Sequence, residues 1–186
     1  SVGGLLMDFV VMLKDAVMFA AGPLLVEAAM GEVVSKEDLG GAVLHTQISG
    51  VAHNVVADEE AAAALVRDYL GYYQTRRVEG AEAGPQDELF HLIPVNLRKP
   101  YDIVPVIEQL LDRDSFLQIQ PDYGKTMVTG LARLDGHSVA IVANQPAVLA
   151  GATDAKGADK AADFITRVSR LGLPVLFLAD TPGVMS

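Results

Sequence analysis

The chain has 186 residues, a formal net charge of −10, 51% hydrophobic residues and no cysteine. That length suits one or two domains, and the apolar content excludes a chain disordered for want of a core. Lysines and arginines stand singly, which argues against a nucleic-acid surface, and the lack of cysteine removes disulfide and thiolate chemistry and suits a reducing cytoplasm.

In chain order, Phe9–Leu13 and Ala16–Ala21 are apolar runs that predict buried strands, with Asp15 between them and Gly22-Pro23 as the breaker. Leu24–Met30 has helical spacing, with Pro23 at the first position, where a missing N–H is harmless. The region from Leu5 to Met30 is the most apolar, yet Asp8, Lys14, Asp15 and Glu27 interrupt it. It therefore cannot cross a bilayer, which takes ~20 apolar residues, and no signal-peptide pattern precedes it.

A helical turn over Ser35–Asp38 is expected to stop at Gly40-Gly41 through positive φ. Ser49–Val56 predicts a strand. Asp58 then caps a helix running to about Tyr73, with Ala62, Leu65, Val66, Tyr69 and Leu70 on one stripe. From Gln74 to Pro100, Gly80, Gly84, Pro85, Pro94 and Pro100 break all periodicity, and this reads as a linker.

Tyr101–Leu111 is helical, capped by Asp102 with Pro105 in the first turn. Strands follow at Phe116–Gln120, Met127–Leu134 and Val139–Ala143, the last two joined by Asp135-Gly136, a favoured two-residue hairpin turn. A helix over Ala158–Leu171 and a strand over Val175–Ala179 close the chain. This order suggests an α/β fold with a largely parallel sheet.

Pro121-Asp-Tyr-Gly-Lys125, Met127 to Gly136, Val142-Ala-Asn-Gln-Pro146 and Ala179-Asp-Thr-Pro-Gly183 stand in a distinctive order. So do Phe19-Ala-Ala-Gly-Pro23, Gly31-Glu32, Leu39-Gly-Gly41, His45 and Ser49-Gly-Val-Ala52. Together they resemble the carboxyltransferase (beta) subunit of biotin-dependent acyl-CoA carboxylases, the acetyl-, propionyl- and methylcrotonyl-CoA carboxylase family. The resemblance implies tandem crotonase-like (ClpP/crotonase) domains with only parts of each present. Residues 1–74 would be the later part of the N-terminal domain, 75–100 the linker and 101–186 the opening of the C-terminal domain. The chain is thus expected to be a fragment, inactive by itself.

The resemblance also implies the chemistry: a carboxyl group moves from carboxybiotin on a carrier protein to a short-chain acyl-CoA through an enolate. Such a site must stabilise negative charge on oxygen, which fixed backbone N–H groups do well. The pair matching the family's first-domain oxyanion hole is Gly3-Gly4. Only Leu5-Leu-Met7 separates it from Asp8, several residues fewer than the family has. Asn144, Gln145 and Pro146 match a loop near the second domain's part of the active site, and their side chains would serve equally as local backbone partners. Thr181, Pro182, Gly183 and Val184 match the turn beside bound biotin, at a strand C-end where α/β sheets place ligands.

A structural role is expected for His45 and Ser49, because no acid stands at suggestive spacing. Asp154 and Lys156 are expected to be solvated or to cap the next helix. His45, His53, His91 and His137 lie far apart, so no metal is expected. With net charge −10 an acyl-CoA would be repelled at long range, so its phosphates require a local basic patch or backbone N–H groups.

By resemblance the partners are biotin carboxylase and biotin carboxyl carrier subunits, the assembly a hexamer, the compartment the cytoplasm and the process fatty acid metabolism. No nucleic acid or membrane is involved. Two alternatives share these motifs: a biotin-dependent acyl-CoA decarboxylase or transcarboxylase subunit, and a non-catalytic assembly paralogue, the latter suggested by the short loop after Gly4.

Overall fold

The computed structural model describes residues 7–185 apart from 75, 80, 81, 85, 97 and 98. Gly3 and Gly4 lie outside the described residues. The fold divides into two compact units at Val66/Arg67, a boundary that falls within one helix.

In the first unit, strand β1 (Val11–Leu13) pairs in parallel with β2 (Asn54–Val56), matching Val11 to Asn54 and Leu13 to Val56. Parallel strands require a long crossover. Helices α1 (Pro23–Met30) and α2 (Lys36–Gly40) and a π-helical turn over Leu44–Ile48 provide it. Pro23 opens α1 as its fixed φ allows, and Gly31 at φ 72° closes it. Met12, Ala42 and Ala52 form the small core, with Val10, Ala16 and Met18 against it.

Three expectations change here. Ala16–Ala21 makes no strand beyond a single bridge from Val17 to Gly41, because this Ala-rich run is only partly buried and lacks the packing that rewards extension. The Ser49–Val56 strand is confined to Asn54–Val56, since the chain before it is still leaving the π-helical turn. Gly40 and Gly41 do not supply positive φ, and Gly41 sits at φ −69°. They are needed for close approach: a Cβ on Gly41 would stand 2.7 Å from the Glu37 carbonyl oxygen, and one on Gly40 would strike the backbone of Met18.

Helix α3 (Glu59–Gly71) starts where Asp58 Oδ1 accepts from the Ala61 N–H at 2.9 Å. In the second unit, residues after it are pinned by the Tyr72 hydroxyl on the Ser115 carbonyl at 2.5 Å and by the Arg133 guanidinium 4.5 Å above the Tyr72 ring. A 3₁₀ turn (Gln86–Glu88), α4 (Leu89–Leu92) and α5 (Val104–Leu110) follow.

A four-stranded sheet is ordered β3 (Leu117–Ile119), β4 (Met127–Leu134), β5 (His137–Asn144), β6 (Val175–Leu178). The first three strands are antiparallel and only β5–β6 is parallel, so the largely parallel sheet is corrected. The reason is local. Asp135 (φ 50°) and Gly136 (φ 75°) form the two-residue turn that dictates antiparallel pairing, and only helix α6 (Ala155–Arg170) is a crossover long enough to join parallel neighbours. Ile107, Leu111, Val128, Ala132, Ile141 and Ala143 pack between α5 and the sheet. No helix among the described residues is long and apolar enough to cross a membrane.

Candidate active site

Parallel pairing of Ala143 with Leu178 brings the C-terminal ends of β5 and β6 to the same end of the sheet. The two expected segments leave from these ends, Asn144–Pro146 from β5 and Asp180–Val184 just after β6. Such a position at the carboxyl ends of parallel strands is where open α/β sheets bind ligands.

The turns are joined by backbone. Thr153 N–H donates to the Gly183 carbonyl at 3.1 Å, and Met185 N–H donates to the Thr153 carbonyl at 2.9 Å. Leu149, Ala150 and Gly151 lie at φ 48°, 53° and 83°, so the chain makes a left-handed bend immediately before Thr153. For Leu and Ala this conformation is strained by ~1–2 kcal/mol each. At Gly151 a side chain would also strike the Asp180 carbonyl oxygen, so glycine is required for the two turns to touch.

Asn144 and Gln145 face inward. Asn144 is 2% exposed, and its amide donates to Thr153 Oγ1 at 3.0 Å and to the Gly151 carbonyl at 3.3 Å. Its Oδ1 is buried and has no hydrogen-bond partner among the described residues. Gln145 Oε1 accepts from Ile103 N–H at 3.2 Å and Ala147 N–H at 3.3 Å, while Nε2 donates to Asp102 Oδ1 at 2.7 Å. Asp102 Oδ1 also accepts from Val104 N–H at 3.0 Å, so it caps α5 as expected although Ile103 occupies the cap position itself. Pro146 is buried beside them. These side chains hold the turn in shape.

The 181–184 turn is exposed. Thr181 Oγ1 donates to the Gly183 carbonyl and accepts from the Gly183 N–H, both at 3.0 Å, so the hydroxyl is spent on the turn. Gly183 adopts φ 139°, closed to most side chains, and a Cβ there would meet nothing within 4 Å among the described residues. Pro182 and Val184 flank it, Val184 being 81% exposed. The turn thus presents a Cα without a side chain to open space, while the N–H and carbonyl of Gly183 are both engaged within the molecule.

Sequence reasoning missed Tyr101 and Thr126 as supporting residues, while Asp154 was expected to be solvated or to cap the next helix. The Tyr101 hydroxyl donates to Asp180 Oδ2 at 2.7 Å, and burial followed by this bond pushes its pKa up to about 12, so it stays a phenol. Thr126 Oγ1 donates to Asp154 Oδ1 at 2.7 Å, and Asp154 caps α6 by accepting from Gly157 N–H at 2.9 Å. These bonds, Thr126 first, hold the Asp154 carboxyl below its usual range. Helix α6 therefore begins three residues before the expected Ala158, with Lys156 in its first turn, and the only signal was Asp154 at a capping position.

In the first unit, His45 Nδ1 pairs with Ser49 Oγ at 3.1 Å and Nε2 with the Met18 carbonyl at 2.5 Å. A neutral carbonyl supplies no charge to stabilise an imidazolium, so the pair reads as structural. No group of His, Asp or Glu among the described residues could hold a metal ion.

The candidate site is thus framed by two turns at adjacent strand ends of an α/β sheet, one buried at Asn144–Pro146 and one exposed at Thr181–Val184. The family model described as "Carboxyl transferase domain" matches residues 4–186, and the chain belongs to that family. It is 41% identical over 189 residues to a propionyl-CoA carboxylase carboxyltransferase subunit of Haloferax mediterranei, covering 97% of this chain and 37% of that protein. It is 36% identical to the methylmalonyl-CoA carboxyltransferase 12S subunit of Propionibacterium freudenreichii subsp. shermanii, covering 97% and 36%. With the methylmalonyl-CoA decarboxylase subunit alpha of Veillonella parvula the identity is 37%, over 97% and 37%.

The solved structure of transcarboxylase 12S with hydrolysed methylmalonyl-coenzyme A bound superposes with a TM-score of 0.91 at 35% identity, covering 98% of this chain and 38% of that one. A single-chain, multi-domain long-chain acyl-CoA carboxylase gives 0.91 at 35%, covering 98% and 19%. The fold is therefore crotonase-like, and the chain spans little more than a third of the length of the curated relatives it matches.

Proposed function

We propose that this chain is part of a carboxyltransferase subunit that moves a carboxyl group from carboxybiotin on a carrier protein to a short-chain acyl-CoA. The observation that carries the reading is the open backbone at Gly183, set at φ 139° on a turn tied to the end of β5 through Thr153. A ureido ring needs close approach to the chain, and the missing side chain at Gly183 leaves room for it, although the Gly183 N–H and carbonyl are held by Thr181 and Thr153. Biotin would be held along Thr181–Val184, with Asn144, Gln145 and Pro146 supporting the neighbouring turn from within. Biotin supplies the transferable carboxyl group; this segment binds and orients it.

On this reading residues 1–74 are the later part of one crotonase-like domain, 75–100 the linker and 101–186 the opening of the next. Gly3-Gly4 provides the oxyanion hole for the acyl-CoA thioester. Biotin carboxylase and a biotin carboxyl carrier are the partners, the assembly is a hexamer of full subunits, and the cytoplasm is the compartment. Hexamer assembly is the subject of the transcarboxylase 12S structure, which supports that choice. The same step run in reverse, or between two acyl-CoAs, is favoured by relatives named as decarboxylase and carboxyltransferase subunits at 37% and 36% identity.

The test is carboxyl transfer by the full protein from a carboxylated biotin donor to acetyl-, propionyl- and methylcrotonyl-CoA, with malonyl- and methylmalonyl-CoA as donors in the reverse direction. Acceptance of one acyl-CoA supports the reading. No transfer in either direction refutes it and favours the assembly paralogue.

A further inference from the structure

Lys160 lies on the stripe of α6 that also carries Ala161, Phe164 and Val168 into the interior, and it is only 2% exposed. Its ammonium donates to three main-chain carbonyls, Gln120 at 2.7 Å, Met127 at 2.8 Å and Tyr123 at 2.9 Å. Gln120 and Tyr123 belong to the loop entering β4, and Met127 is the strand's first residue. Carbonyl oxygens converging on one positive centre are what proteins use to replace the hydration shell of a monovalent cation.

The loop is shaped for that centre. Gln120 at φ 55° and Gly124 at φ 50° turn its carbonyls inward, and a Cβ on Gly124 would stand 2.7 Å from the Lys156 carbonyl oxygen. An ammonium has three N–H donors, and here each has an acceptor. The far end of the loop reaches the candidate site: the Thr126 carbonyl accepts from Gln145 N–H at 2.9 Å, and Met127 Sδ lies 3.4 Å from the Asn144 amide.

We propose that Lys160 is a tethered cation, occupying a carbonyl cage that would otherwise suit a small monovalent cation, and that through Thr126 and Met127 it positions the Asn144–Gln145 turn. This does not depend on the carboxyl-transfer reading. A lysine that merely fills space would be replaceable by methionine, which has a similar stem and no charge.

Two variants of the full protein test it by hydrogen exchange and thermal melting at pH 6. Lys160→Met should raise exchange at the Gln145 amide at least about tenfold while leaving Leu131 and Ala140 unchanged, whereas general loosening would raise all three. Lys160→Ala vacates the stem, and its melting temperature should fall by roughly 5 °C or more. Propylammonium chloride should restore part of that loss relative to sodium chloride of equal strength, with no such gain in the wild type. Unchanged exchange at Gln145 in the Met variant overturns the positioning role, and a folded Ala variant indifferent to propylammonium overturns the cation cage. Should the Ala variant fail to fold, its refolding in propylammonium but not in sodium supports the cage, and failure in both overturns it.

Discussion

Replacing Gly151 with alanine probes whether the two turns of the candidate site act as one unit. The residue sits at φ 83°, and its new Cβ would meet the Asp180 carbonyl oxygen, with the Thr181 Cα 3.6 Å away. The left-handed conformation destabilises alanine by ~1–2 kcal/mol. Relieving the clash must push the Asp180–Met185 segment outward, which breaks the 3.1 Å Thr153–Gly183 and 2.9 Å Met185–Thr153 bonds. At ~0.5–1.5 kcal/mol for each bond, the local total is roughly 2–5 kcal/mol. Amide exchange at Thr153 and Met185 should therefore quicken about 30-fold or more, since ~1.4 kcal/mol is a factor of ten. Gly172→Ala is the control, because φ is 76° there and a Cβ meets nothing within 4 Å among the described residues. Unchanged exchange at Thr153 and Met185 in the Gly151 variant, or an equal change in the control, would refute the coupling of the two turns.

Asp112→Ala should lower stability to urea by roughly 3–6 kcal/mol, because this 4% exposed carboxylate accepts from Asp135 N–H at 3.0 Å and Gly136 N–H at 2.7 Å and charged bonds are worth ~1.5–3 kcal/mol each. A loss below about 0.5 kcal/mol would contradict its role as anchor of the hairpin turn. Burial, partly opposed by Asp122, lowers the Lys160 pKa to about 7 from its ordinary 10.5, so in the folded chain the three-donor ammonium fills the carbonyl cage below that pH and loses a proton above it. Between those values the unfolded chain holds a proton that the folded one has released, so this group's contribution to stability rises with pH. The wild-type minus Lys160→Met difference should grow by up to ~1.4 kcal/mol for each pH unit across that window, and a flat or falling difference would overturn the assignment.

Local geometry was the legible part of this fold. Asp135-Gly136 declared its hairpin because two consecutive left-handed residues need that chemistry, and Pro23, Asp58 and Asp102 marked helix starts through their fixed φ or side-chain oxygen. Sheet orientation was harder, since it depends on which connection crosses over, and a count of helices and strands does not reveal that. Ala16–Ala21 misled because a run that is half alanine, with Val17 as its single β-branched residue, has little preference for extension. In the candidate site the exposed turn was readable from Asp180-Thr-Pro-Gly183. Its supports were not: Tyr101 meets Asp180 across 79 positions, and Lys160 reaches Gln120 across 40. Lys160 left one trace, a charged residue in the apolar stripe of α6.

The central claim is that the 181–184 turn serves carboxyl transfer through the room left by the missing side chain at Gly183. The most direct measurement is steady-state turnover of the full protein with Gly183→Val and with Thr181→Ala, varying the carboxybiotin donor and the acyl-CoA separately. A valine at φ 139° is strained and projects into the open space assigned to biotin. Gly183→Val should therefore cut kcat/KM for the biotin donor far more than it changes acyl-CoA binding, and Thr181→Ala, which loses only turn bonds, should be milder. Turnover left intact by Gly183→Val and abolished by Thr181→Ala would make the threonine side chain the working group and contradict the account.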